Sequence, residues 1–208
     1  MCAADNAGVS AEVHHDEVIP ETKLEQTIVS DRRWIAGTSW GVPRPGHPEG
    51  QVRIHILEVL AALDRQKLEP NARAKLRLVA LVHDTFKSEV DRRLPRSGEN
   101  HHATIARRFA EAFIDDLDVL EITELHDEAY NSWVAGGRHG NWAKAEARAD
   151  KLIERLGSRL TLYLAFYRAD NAAGDKRPEP LSWFERLTSR QPADTGRTSG
   201  RADAPGPT

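Results

Sequence analysis

Leu76-Arg77-Leu78-Val79-Ala80-Leu81-Val82-His83-Asp84-Thr85-Phe86-Lys87 is an apolar helical run that ends on a histidine fused to a carboxylate. Positions three, four and seven apart share one face of a helix. His83 follows Val79 by four and Leu76 by seven, so it points where the apolar residues point. Four other polar residues repeat the pattern. His55 is three after Val52 and four before Val59; His102 is three before Ile105 and seven before Phe109. His126 is four after Ile122 and four before Tyr130; Asp170 is four after Phe166 and seven after Tyr163.

A lone histidine on an apolar face is ordinarily a core residue bonded to a carbonyl. Four, joined by Asp84 and Asp170, need another explanation, because a carboxylate buried without a partner costs several kcal/mol. A divalent cation removes that cost and uses each imidazole nitrogen as a donor. Six candidate ligands exceed the four of a tetrahedral zinc. They suit two metals with Asp84 as the bridge.

Working outward, the rest of the chain is also helical in pattern. Val52, His55, Ile56, Val59, Leu60 and Leu63 mark one helix. Asn71 is the expected cap of the next, which runs to about Asp84, and Asn100 the expected cap of a third, with Ile105, Phe109 and Phe113 on one face. Val119, Ile122, His126, Tyr130 and Trp133 read as a single fourth helix. Ala143 to Leu156 is charged on most sides and is expected at the periphery. Leu160 to Asp170 forms the last long helix, and Pro180 to Leu187 a short turn. No stretch alternates with period two, and no internal repeat is present, so the fold class is all-α.

Gly37 to Gly50 contains three prolines and four glycines, which forbid a helix there. With Trp40 inside it and Trp34 close by, this loop is expected to pack on the body. Residues 1–20 and 189–208 read as disordered tails around one domain at 21–188, with the ligand-bearing core at about 46–176.

The chain has 208 residues, with 29 Lys plus Arg against 32 Asp plus Glu. A net charge of -3 gives no strong nucleic-acid signal. Cys2 is the only cysteine, which excludes an internal disulfide and fits a reducing cytoplasm. Residues 1–6 do not read as a secretory signal and the densest apolar stretches are too short to span a bilayer, so no membrane partner is expected. Oligomeric state is not legible.

The order His … His-Asp … His … His … Asp resembles the HD-domain superfamily of metal-dependent phosphohydrolases. The resemblance spans about Gly46 to Lys176 and rests on His55 to Leu60, Leu78 to Lys87, and Tyr167 to Ala172. It implies an HD-domain helical bundle with His55, His83, Asp84 and Asp170 as the minimal ligand set. His102 and His126 match the two further histidines of dinuclear members. His101 stays open as an alternative to His102. Phe86 stands where the family often has glycine, and is expected to narrow or cover the site. The text from His55 to His102 also resembles the HD region attached to bacterial tRNA nucleotidyltransferases, but the nucleotidyltransferase head is expected to be absent.

The expected function is hydrolysis of a phosphoester in a small phosphorylated substrate, with a nucleotide among the candidates. Two divalent metals (Mn, Fe, Mg or Zn), about 3.5–4 Å apart, would lower the pKa of a bridging water and clamp phosphoryl oxygens. Asp84 and Lys87 are the expected catalytic residues. Lys87, Arg168, Lys176, Trp40 and Arg44 are the expected substrate contacts, with His47 beside them. Asp175 or Glu89 is the expected proton relay. Two other readings use the same ligands: a diiron oxygenase that cleaves a C–C or C–P bond, and a non-catalytic metal-containing domain that binds a nucleotide or partner. No Gly-rich phosphate cradle with Walker spacing is present.

Overall fold

Apolar residues at helical spacing build ten α-helices, and no β-strand, among residues 17–190, the part of the chain that the computed structural model describes. Residues 1–16 and 191–208, most of the two expected tails, lie outside the described residues. Ser189 and Arg190 belong instead to the last helix.

Three helices carry the centre: α3 (Val52–Asp64), α4 (Pro70–Val82) and α9 (Leu160–Asn171), numbered in chain order. They pack on one another through Ile56, Val59, Leu63, Leu76, Val79, Tyr163 and Phe166, all fully buried. His55 and His83 lie in the same core, so the ligand candidates sit inside the bundle rather than on it. α4 starts on Pro70, whose missing N–H would be unpaired at a helix start anyway, and Glu69, not Asn71, precedes it as cap.

Two helices before the centre, α1 (Lys23–Val29) and α2 (Arg32–Thr38), do not stand out in the sequence. α1 is held by a buried ion pair between Arg77 Nε and Glu25 Oε1 at 2.9 Å, and Arg77 Nη2 also donates to the Ile19 carbonyl. α2 enters the Gly/Pro stretch as far as Thr38, and the loop beyond it packs Trp40 against the core.

α5 (His102–Ala110) is capped by His101 rather than Asn100. The Asn100 side chain accepts from Asp91 N at 2.8 Å and donates to the Asp91 and Pro95 carbonyls, which ties down the loop after α4.

The expected fourth helix is two: α6 (Leu117–Leu125) and α7 (Glu128–Gly137). The break is stabilised from α9. The buried Tyr163 hydroxyl accepts from Ala129 N at 3.2 Å and is within donating distance of the Leu125 and His126 carbonyls, at 3.1 and 3.2 Å. These are backbone groups that a helix interruption orphans. Beyond the break the face rotates: Tyr130 is exposed and stacks on Trp133 rather than sharing the His126 face.

α8 (Trp142–Leu156) packs its Ala145, Ala149 and Leu156 stripe inward, next to α7. α10 (Glu179–Arg190) is a full helix rather than a short turn. Pro180 lies in its first turn, where proline is tolerated. No helix of the described residues is long and apolar enough to cross a membrane.

Candidate metal centre

The end of α4 is fastened before it presents any side chain. The Leu81 carbonyl, orphaned in the last turn, accepts from Trp34 Nε1 at 2.8 Å and Thr85 Oγ1 at 2.9 Å. The Ala80 carbonyl lies 3.0 Å from His83 Nδ1. Gly37 of α2 lies flush on the following turn; a Cβ there would come 2.1 Å from the Thr85 carbonyl oxygen. Asp84 is therefore held between α2 and the core.

Two groups of side chains converge on Asp84, one on each carboxylate oxygen. On the Oδ2 side, His55 Nε2 and His83 Nε2 each lie 3.6 Å away. Asp170 Oδ1 joins them from α9, 3.0 Å from His55 Nε2 and 3.7 Å from His83 Nε2. On the Oδ1 side, His126 Nε2 lies at 3.3 Å and His102 Nε2 at 3.5 Å. The ligand atoms of His55, His83 and Asp84 fall inside 4.8 Å of one another, as do those of Asp84, His102 and His126, so each trio could hold a metal ion, with Asp170 joining the first trio through His55 and His83. All six sequence candidates are thus brought together. His101 turns away from Asp84 toward Asp127 Oδ2, 3.4 Å from its Nε2.

The donors fit a cation. His83 Nδ1 and His126 Nδ1 face backbone carbonyls at 3.0 and 2.9 Å, an arrangement that puts the proton on Nδ1 and leaves Nε2 with a lone pair. Those lone pairs face other imidazoles: His83 Nε2 lies 3.4 Å from His55 Nε2, and His126 Nε2 3.3 Å from His102 Nε2. Asp84 Oδ1 is buried with no hydrogen-bond partner. Converging acceptors with too few protons between them are what a divalent cation satisfies.

The titration directions divide the histidines into two that are neutral and two that hold a proton against the metal. Burial holds His83 down to about 4, so it is neutral near pH 7. Burial lowers His102 as well. Burial also opposes charge on His55, but Asp170 and Glu49 outweigh it and raise its pKa. Asp84 does the same for His126. Burial would raise both carboxylates; Lys87 beside Asp84 and Lys176 beside Asp170 help to hold each well below the usual range.

The outer candidates divide. Lys87 Nζ bonds Asp84 Oδ2, and Lys176 Nζ bonds Asp170 Oδ1 at 2.7 Å. Trp40, Arg44 and His47 of the Gly/Pro loop, with Lys87, line a water-sized cavity that reaches His55 and Asp84. Arg168 is not brought in: it pairs on the surface with Glu185 at 2.7 Å and lines neither cavity. Glu89 is engaged by Arg33 at 2.7 Å, and Asp175 is exposed. Phe86 does not cover the site. It is fully buried against Phe109, ring centroids 4.6 Å apart, under the Arg33 guanidinium.

A cleft of about 1350 Å³ opens beside the second group of ligands, with His101, His102 and Asp127 in its lining. Trp40, Arg44, Lys87, Arg92 and Arg96 line it from the two loops; Arg148, Lys151 and Arg155 line it from α8. Arg148 and Arg155 are matched by Glu128 and Glu124, at 2.7 and 2.6 Å, which leaves the loop side the more positive. α8, expected to be merely peripheral, forms a wall of the cleft.

Two residues of the site are not evident from helical periodicity. Asp127 Oδ2 lies 3.8 Å from His102 Nε2, and its Oδ1 is buried without a partner. A signal for it exists: His126-Asp127 repeats the dipeptide His83-Asp84. Glu49 has a side chain only 2% exposed, with Oε1 2.9 Å from His47 Nδ1 and 3.2 Å from His55 Nδ1. Burial would raise its pKa, but the two imidazoles bring it to about 2. It stands on a loop without periodicity, where no spacing marks it.

Comparison with known proteins agrees with this architecture. The family model described as HD domain matches residues 52–159, from the start of α3 to the turn before α9, and leaves Glu49 and Asp170 outside the match. No curated protein and no solved structure matches the chain.

Proposed function

The chain belongs to the HD domain family of metal-dependent phosphohydrolases, and from that premise we propose that it hydrolyses a phosphoester at a dinuclear centre bridged by Asp84. The observation that carries the reading is the division of Asp84, one oxygen toward His55, His83 and Asp170, the other toward His102 and His126.

His55, His83, Asp84 Oδ2 and Asp170 would hold one divalent cation, and Asp84 Oδ1, His102 and His126 the other. When bound, such a pair supplies an activated water and a clamp for phosphoryl oxygens. The chain's own residues do the rest. The fastened end of α4 keeps Asp84 from yielding to either side. Lys87 lines both the cleft and the small cavity, so its ammonium meets an entering phosphoryl group. Arg44, Arg92 and Arg96 give the cleft mouth a positive field that draws in an anion. Trp40 offers an aromatic face beside them, which suits a phosphorylated substrate with an apolar or ring-bearing part, such as a nucleotide.

The test is a screen of nucleoside monophosphates, nucleoside triphosphates and generic phosphodiesters with Mn²⁺, using Asp84→Ala as control. Loss of an outer-shell partner typically costs 10–100-fold, so loss of the bridge should cost at least about 100-fold. An Asp84→Ala protein with full activity would refute the assignment.

A further inference from the structure

We infer that Glu49 is the positioning residue for His55: its carboxylate holds the His55 Nδ1 proton and so turns Nε2 toward the metal. The inference rests on the metal-centre reading above, not on phosphoester hydrolysis.

The reason lies in where each histidine sits on its helix. His83 and His126 are the C-caps of α4 and α6, beside carbonyls that the helix leaves unpaired. Each ring therefore finds a backbone acceptor for Nδ1, Ala80 O and Thr123 O. His55 cannot do this. It stands in the first turn of α3, where the unpaired backbone groups are N–H donors and the carbonyls point onward into the helix. An acceptor for its Nδ1 has to come from outside the helix.

Glu49 is that acceptor. It is two residues before the N-cap Gln51, and its Oε1 lies 3.2 Å from His55 Nδ1, a buried nitrogen for which the structure shows no hydrogen bond. The carboxylate is itself steadied. His47 Nδ1 lies 2.9 Å from Oε1, and the Arg44–His47 bridge folds the loop beneath it. Gly174, just past α9, gives it room: a Cβ there would come 3.1 Å from Glu49 Oε2 and 2.8 Å from the Gly46 carbonyl oxygen. A carboxylate in place of a carbonyl also makes the imidazole a stronger donor. The Gly/Pro loop thus has a defined task, to bring one acid to a buried ligand histidine that its helix leaves without an acceptor.

The test measures Zn²⁺ affinity by chelator competition, together with the His55 imidazole N–H signals in ¹⁵N-labelled, zinc-loaded protein. Wild type should show a His55 Nδ1–H protected from exchange. Glu49→Gln, of nearly the same shape, should lose that protection and bind zinc at the His55 group about 10–100-fold more weakly. Glu49→Asp, which keeps the charge with a shorter reach, should fall between them. The melting temperature of the metal-free proteins controls for folding; if Glu49→Gln is unstable, the comparison is made with Glu49→Asp. Affinity within twofold of wild type with the N–H still protected would overturn the inference. So would loss of one whole zinc with the other unchanged, which would make Glu49 a ligand. A wild type that binds no metal would sink the metal-centre reading itself, whereas a metal-binding chain that cleaves no phosphoester would leave this inference standing.

Discussion

At the scale of single residues, the centre is a competition between protons and cations. His55 and His126 have pKa values raised above the ordinary 6.5, because carboxylates outweigh the effect of burial. Each carries a proton below its raised pKa and must lose it to donate a lone pair. Metal loading near neutral pH should therefore release protons, and affinity should rise from about pH 6 to about pH 8. Titration calorimetry in buffers of different ionisation enthalpy reads both; proton uptake on binding would contradict the assignment. His83, held near 4, contributes nothing in that window. Five of the six ligand candidates were legible because each stands at a fixed helical interval from core residues such as Val79, Ile122 and Phe166, and Asp84 because it adjoins His83. Glu49 was not, because a residue on a Gly/Pro loop has no interval to be read from. Arg168, expected as a substrate contact, lies two residues before Asp170, which on a helix is about 200° of rotation, and its side chain faces Glu185 instead.

At the scale of elements, two contacts set the ligand positions. Gly37 of α2 touches the backbone of Thr85, so Gly37→Ala must push α2 off the end of α4. The expected cost is about 1–3 kcal/mol of stability. It should come with weaker metal binding, since Thr85 adjoins Asp84; a melting curve and a zinc titration check both. Tyr163→Phe should cost about 1–3 kcal/mol, because it leaves the Ala129 N–H and the carbonyls at the α6–α7 break without their partner. Denaturant unfolding checks it, and an unchanged midpoint would mean that the break is stable without the hydroxyl. This break also explains what the apolar pattern hid. Val119 to Trp133 keeps helical spacing through the interruption, so periodicity alone reads one helix. What interrupts it is a tyrosine on α9, far away in sequence. α10 was understated for a local reason: Pro180 reads as a breaker unless it is known to fall in a first turn.

At the scale of the whole molecule, the bundle is tied on its outside by ion-pair networks as well as by its core. Arg107 of α5 and Arg155 of α8 both grip Glu121 of α6, at 2.6 and 3.0 Å. Burial would raise the Glu121 pKa, but these arginines outweigh it and hold the carboxylate below its ordinary 4.5. A lowered folded-state pKa stabilises above the unfolded value and is lost as pH falls through the folded one. Glu121→Gln should therefore flatten the fall in melting temperature between about pH 5 and about pH 3; an equally steep fall would show that the network is too exposed to matter. The same bundle closes around Asp84, where the ends of α3, α4, α5, α6 and α9 and the Gly/Pro loop meet. The most direct test of the central claim is the number of metal ions per chain, by elemental analysis, in wild type and in Asp84→Ala after equal loading and desalting. The account predicts about two per chain in wild type and loss from both sites in the variant. Fewer than one in wild type, or two retained without the shared carboxylate, would contradict it.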